Sequence, residues 1–191
     1  MQNSLSRVWF LNQGCKQVPL GFAKNIIRWG HPEGYFLNAR GHIVVQTYSP
    51  AMRNNSYGGS PAYPQDRATQ INSHVLMALA FYGPRPTFID PKTGKEYSGI
   101  CHHLIPDPLD YRPANLLCWL TRAEHAEADR RQRALKKVVP NGDLRLFSYE
   151  RLRYLQDPRT TSRERFETEL ARIASKNYHF VNPSTLDIHE R

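Results

Sequence analysis

At 191 residues the chain is long enough for one full hydrophobic core and a small appended subdomain. Its 40% hydrophobic and 11% aromatic content excludes a disordered chain, and no apolar run reaches the roughly 20 residues that span a bilayer. The excess of 26 Lys and Arg over 17 Asp and Glu, a formal charge of +9, favours a polyanionic partner, nucleic acid before an acidic membrane surface.

The N-terminal stretch MQNSLSRVWFLNQGCKQ lacks a charged region followed by a sustained apolar one, so the expected address is intracellular. Three cysteines, Cys15, Cys101 and Cys118, form no C-x-x-C pair, which argues against a disulfide scaffold and a zinc ribbon. Cys101 and Cys118 lie on apolar segments and read as small core residues. Residues 34–49 predict two short strands around a turn, with Ile43–Val45 as the β-branched run of the second. Asn54–Asp66, rich in Gly, Pro, Ser and Asn, predicts a loop.

The next segment, INSHVLMALAFYGPRP, predicts a helix capped by Asn72 or Ser73 and stopped by Gly83 and Pro84. It is apolar on nearly every side, so it is expected to be buried, with His74 structural, as are His31 and His42. A turn at Pro91–Gly94 leads to an expected strand from Tyr97 to Ile105. A Pro-rich loop then precedes a second strand, Asn115–Thr121. A helix follows at once and should run to about Val138, because Thr121 and Glu124 form an S/T-x-x-E capping box. Beyond Asn141, residues 143–156 and 161–175 predict two more helices. The last has a capping box at Thr161 and Glu164 and an apolar face of Phe166, Leu170 and Ile173. The tail from Lys176 is expected to be irregular.

Strand, loop, strand and helix over residues 97–138 make a ββα unit with polar residues at defined places. His102 and His103 end the first strand, Asn115 opens the second, and His125 sits in the first helical turn, four residues before Asp129. Packing the helix on the hairpin would offer His102, His125 and Asp129 to one divalent cation. His103 would remain as a general base, its ordinary pKa near 6.5 suiting that task at neutral pH. Strand neighbours point to opposite faces, so the pair requires the strand to end there or the two imidazoles to work from different sides. Asp129 reads equally well as a solvated helix residue paired with Arg133. The run Arg130–Lys137 places five cations in the last turns of the helix, to complement its C-terminus or to form a phosphate-contacting stripe that includes Arg130 and Arg133. Arg112 and Arg122 are the nearer candidates for gripping DNA.

The stretch CHHLIPDPLDYRPANLLCWLTRAEHAEAD resembles the HNH endonucleases, the ββα-metal or His-Me finger nucleases. Asn115 lies twelve residues after His103, and His125 ten after Asn115, which suits the family's compact form. RPANLLCWLTRAEH is similar to the family phrasing RPxNLxxLTxxEH, with one extra residue between Asn115 and Thr121 that loosens the register of the second strand. The resemblance implies His102 and His125 as metal ligands, His103 as the general base and Asn115 as the residue that holds the intervening loop. Asp129 stands where some members place a further histidine. More faintly, HVLMALAFYGPRP and EGYFLNARGHIVV resemble the preceding helix and the N-terminal hairpin of phage and intron-type homing nucleases, so the resemblance covers about residues 29–131.

The expectation is therefore an α+β protein. It has a β-rich, DNA-contacting region over 1–66, a ββα-metal nuclease core over 67–140 and a helical extension over 141–191. The implied activity is a metal-dependent endonuclease that nicks double-stranded DNA as a monomer or homodimer, phage- or mobile-element-encoded. It would use one divalent ion, Mg²⁺ first, with Mn²⁺, Zn²⁺ or Ni²⁺ admitted by the donor set. The alternatives are a non-catalytic nucleic-acid-binding protein on the same scaffold, or an RNase or nuclease toxin.

Overall fold

The computed structural model describes residues 4–19, 29–44, 59–60 and 71–175. The chain divides into two compact units, residues 1–125 and 126–191, and the division falls within one helix, between His125 and Ala126. Both α and β elements are present, with the strands in small separate sheets. No helix among the described residues is long and apolar enough to cross a membrane.

The first unit opens with a helix that the sequence reading did not anticipate, α1 (Arg7–Asn12), capped by Ser6 Oγ accepting the Trp9 N–H at 3.2 Å. Strands β1 (Lys16–Gln17), β2 (Trp29–Gly30) and β3 (Phe36–Leu37) follow as an antiparallel three-stranded sheet in that order. The hairpin expected over 34–49 is present as β3 and its turn. There Asn38 Oδ1 accepts the Arg40 and His42 N–H groups, and the returning chain contributes a single bridge at Ile43; residues 45–49 lie outside the described ones. Within Asn54–Asp66 the described residues are Gly59–Ser60. They form strand β4, paired with β5 (Ile71–Asn72), rather than loop.

Helix α2 (Ser73–Tyr82) begins and ends where its punctuation predicts, although Asn72 makes no side-chain cap hydrogen bond. Every residue from Ser73 to Leu79 is buried, as expected for a helix apolar on all sides. Val75–Leu79 pack with Val18, Phe36, Leu116 and Cys118 into the main core of this unit. Phe10, Cys15, Trp29 and Leu37 make a smaller one, in which Phe10 stacks on Trp29 at 4.7 Å.

The strand expected from Tyr97 to Ile105 is broken at Gly99. Glu96–Ser98 (β7) pairs with Thr87–Ile89 (β6), while Ile100–His103 (β8) pairs with Leu116–Leu120 (β9). Gly99 is closely surrounded at the break. A Cβ at Gly99 would lie 3.2 Å from Pro86 Cγ and 3.2 Å from the Trp119 Cα, while the Gly99 N–H donates to Pro86 and its carbonyl accepts from Arg85. Gly99 thus joins two hairpins at a point where an added Cβ would require its neighbours to give by a few tenths of an ångström.

The extra residue between Asn115 and Thr121 appears as a β-bulge. Ile100 pairs with Leu120 but His102 pairs with Leu117, so Cys118 and Trp119 oppose Cys101 alone. Trp119 takes up the surplus residue at φ +61°, a left-handed conformation that is strained for a bulky side chain.

Helix α3 (Arg122–Val138) starts at the predicted box. The Thr121 N–H donates to Glu124 Oε2 at 2.7 Å, and the Glu124 N–H donates to Thr121 Oγ1 at 3.2 Å.

In the second unit the helix expected over 143–156 is shortened to α4 (Tyr149–Gln156), because Ser148 caps it and Leu144–Leu146 form a separate 3₁₀ turn. Helix α5 (Arg163–Ser175) is capped by Ser162, whose Oγ accepts the Arg165 N–H at 3.2 Å, and not by the expected Thr161–Glu164 box. Thr161 is buried and turns its hydroxyl inward to the Tyr154 carbonyl, which removes it from capping. Phe166 and Ile173 are buried as predicted, with Leu170 half-buried.

Candidate metal centre and its supporting loop

Strand β8 delivers two imidazoles and strand geometry separates them. The ring of His102 meets that of His125 at a centroid distance of 5.5 Å, whereas the ring of His103 meets His74 of α2 at 5.1 Å. The strand does not end before His103, so of the two arrangements left open by the sequence it is the split one that forms. His125 lies in the first turn of α3, fixed there by the Thr121–Glu124 box, and Asp129 follows one turn later on the same face.

His102, His125 and Asp129 each turn one donor atom towards a common point, and all three atoms lie within 4.8 Å of one another. A cation bound at about 2.1 Å from each requires separations of about 3 Å, an adjustment within reach of side-chain rotation. Two imidazoles and a carboxylate are a donor set suited to a divalent ion, and this group could hold one. It is the one cluster of three or more such residues among the described ones. His102 is buried, and His125 and Asp129 are half-buried, so the group opens towards solvent on the helix side.

His103 stands outside this group. Burial, with His102 adding to it, pushes its pKa down from the ordinary 6.5 to about 4, although Asp110 and Asp107 pull in the other direction. The imidazole is therefore neutral at pH 7, but its titration lies well below the value near 6.5 expected from the sequence. The pKa of His74 is likewise pushed down to about 4, chiefly by burial, then by His103 and Arg85. His74, assigned a structural role from the sequence, thus has a second attribute that no local signal carries: contact with His103.

Asn115, expected to open the second strand, instead ends a 3₁₀ turn (Pro113–Asn115) just before β9; it is fully buried and organises the loop that leaves β8. Its Oδ1 accepts the Ile105 N–H at 2.8 Å, and its Nδ2 donates to the carbonyls of Ile105 (3.2 Å) and Asp110 (3.3 Å). One amide side chain therefore holds both the start of the loop, ten residues earlier at Ile105, and its middle at Asp110. The loop is further held by Tyr82, whose hydroxyl donates to the Pro113 carbonyl at 2.6 Å. Gly34 sits against the other side: at φ +90°, a Cβ there would lie 2.8 Å from the Arg112 backbone nitrogen.

The four arginines expected at DNA are placed differently from one another. Arg112 forms a two-point pair with Asp110 (2.8 and 2.7 Å) at the loop surface. Arg122 pairs with Asp90 and lies over the Tyr97 ring at 4.5 Å, its side chain 58% exposed. Arg130 makes two hydrogen bonds to Glu127 (2.8 and 2.7 Å), and Arg133 is exposed.

Arg131, one of the five cations in the expected stripe, is instead buried. It donates to Glu127 and to the carbonyls of Leu155, Asp157 and Thr161, fastening the turn between α4 and α5. Arg130, Arg131 and Arg163 together hold the Glu127 carboxyl well below the usual carboxylate range, Arg130 most strongly.

Comparison of the chain with protein-family models, with curated proteins and with solved structures finds no significant match.

Proposed function

We propose that the chain is a metal-dependent endonuclease of the HNH type that hydrolyses phosphodiester bonds in double-stranded DNA. The observation that carries this reading is the convergence of His102, His125 and Asp129, three residues from strand β8 and helix α3, within 4.8 Å. The order of residues that resembles the family, the loop-closing Asn115 and the net charge of +9 support it.

In this reading His102 and His125, with Asp129, hold one divalent ion, Mg²⁺ first. Such an ion would neutralise charge on a phosphate and its leaving oxygen. His103, uncharged at pH 7, accepts a proton from the attacking water. Asn115 keeps the segment between His103 and β9 in one conformation, and β8 sets the His103 imidazole on the opposite side from the ligand group. The Arg112 and Arg122 side chains are 42% and 58% exposed, and they can exchange their partners Asp110 and Asp90 for backbone phosphates. Arg130 and Arg133 on α3 are further candidates for phosphate contact.

Plasmid relaxation with Mg²⁺ or Mn²⁺ tests the proposal. Wild type is expected to convert supercoiled to open-circular DNA, and His103→Ala to lose about 10²–10⁴-fold in rate. Titration with Mn²⁺ alone should show binding to wild type and none to His102→Ala. Equal nicking by wild type and His103→Ala would refute the assigned base. Metal binding without any nicking would leave a nucleic-acid-binding scaffold.

A further inference from the structure

The β8–β9 bulge places two thiols in a relationship that the ligand group does not use. Cys101 and Cys118 sit on opposite strands with their Sγ atoms 3.3 Å apart. In the register on either side, Ile100 faces Leu120 and His102 faces Leu117. Cys118 comes opposite Cys101 because Trp119 absorbs the surplus residue at φ +61°. The juxtaposition of the sulfurs is therefore a product of the bulge, held at the expense of backbone strain. A buried Trp119 indole Nε1 adds to that, since it has no hydrogen-bond partner among the described residues.

We propose that Cys101 and Cys118 form a peroxide-oxidisable dithiol site that closes to an intramolecular disulfide across the bulge. Cys101 is half-buried and Cys118 is buried, so a small oxidant reaches Cys101 first. The Cys101 sulfur attacks one oxygen of hydrogen peroxide and the O–O bond breaks. This leaves a sulfenic acid on Cys101 and releases one water. The Cys118 thiolate then attacks that sulfur, the S–O bond breaks, and the departing hydroxide takes up the thiol proton as a second water. Two thiols and one peroxide thus give one disulfide and two waters, with the two electrons passing from sulfur to oxygen.

The sulfurs must approach to about 2.05 Å, and the irregular backbone at Cys118–Trp119 is the part of the hairpin able to supply that movement. A soft metal is a poorer occupant. The one group of three or more potential ligands among the described residues contains neither cysteine, so a metal would find two donors where a closed tetrahedral site needs four. The third cysteine, Cys15, is an internal reference. It belongs to the separate Phe10–Trp29 cluster, 1% exposed. The bond would link strands whose next residue is His102 and would enclose the loop that Asn115 ties. The thiol chemistry itself does not depend on the nuclease reading.

The test treats the full native chain with hydrogen peroxide, alkylates the remaining thiols and maps the peptides by mass spectrometry. The expected result is a fall from three titratable thiols to one and an intact mass lower by two hydrogen atoms. A linked peptide pair should contain Cys101 and Cys118, and dithiothreitol should reverse all three changes. Cys118→Ser should stop at a Cys101 sulfenic acid trapped by a 1,3-diketone probe, while Cys15→Ser should leave the linked pair unchanged. Survival of all three thiols, a link that includes Cys15, or disulfides only between chains would each overturn the proposal. Because the wild-type chain alone decides between these results, the outcome does not hinge on how well the serine variants fold.

Discussion

Burial of the His74 and His103 imidazoles makes the fold sensitive to mild acid. Both imidazoles are buried, 7% and 8% exposed, and both have pKa values lowered to about 4 from 6.5. A histidine whose folded pKa lies below its unfolded one binds fewer protons in the native state. Its stabilisation is complete above pH 6.5 and is lost as the pH falls from there towards 4. For His74 the free energy lost between neutrality and pH 5 is RT ln[(1 + 10^1.5)/(1 + 10^−1)], or ~2 kcal/mol, a large share of the roughly 5–15 kcal/mol that holds a small domain together. His74→Leu removes that proton-linked term while keeping an apolar side chain in the helix. Urea unfolding of both proteins at pH 7 and pH 5 measures the difference directly. Wild type should lose ~2 kcal/mol more than the variant on acidification. An equal loss in the two would show that His74 is not held neutral by burial, and the reasoning would fail, whatever the activity of the protein.

Asn115→Ala removes the acceptor of the Ile105 N–H and one donor each from the Ile105 and Asp110 carbonyls, the former keeping the Asp107 N–H, and should cost about 2–3 kcal/mol, read from the denaturation midpoint. Arg131→Met strips three buried carbonyls and Glu127 of a donor, and a loss of about 3 kcal/mol in chemical denaturation is expected. Gly34→Ala must push the Arg112 backbone aside from a left-handed position. A cost of about 1–3 kcal/mol should appear as a lower melting temperature, together with faster amide exchange in the loop that Asn115 closes.

The elements that could be read from the sequence are those specified by neighbours along the chain. Helix α2 announces itself by a continuous apolar run and the Gly83–Pro84 stop, and α3 by the Thr121–Glu124 box, because capping and termination use groups three or four residues apart. The candidate ligand group was legible for the same reason: His125 and Asp129 share a helix face by periodicity, and the hairpin order puts His102 beside them. Even α1, which went unread, carries a local signal in Ser6.

What required the tertiary structure depends on distant partners. Whether Thr161 or Ser162 caps α5 turns on a hydroxyl drawn to the Tyr154 carbonyl, seven residues away, and Arg131 leaves the cationic stripe because carbonyls some 24 to 30 residues later need a donor. An apparently continuous strand divides at Gly99 because its two halves take different partner strands, β6 before it and β9 after it. Sequence alone showed one surplus residue between Asn115 and Thr121. Only the pairing of two strands decided that it becomes a bulge at Trp119, setting Cys101 against Cys118. Likewise His102 and His103 are adjacent in the chain, yet alternation along β8 and the helices packed there send one to His125 and the other to His74. Local hydrogen-bonding rules are encoded within a turn or two of chain, whereas burial, crowding and ring contacts exist only once remote segments meet.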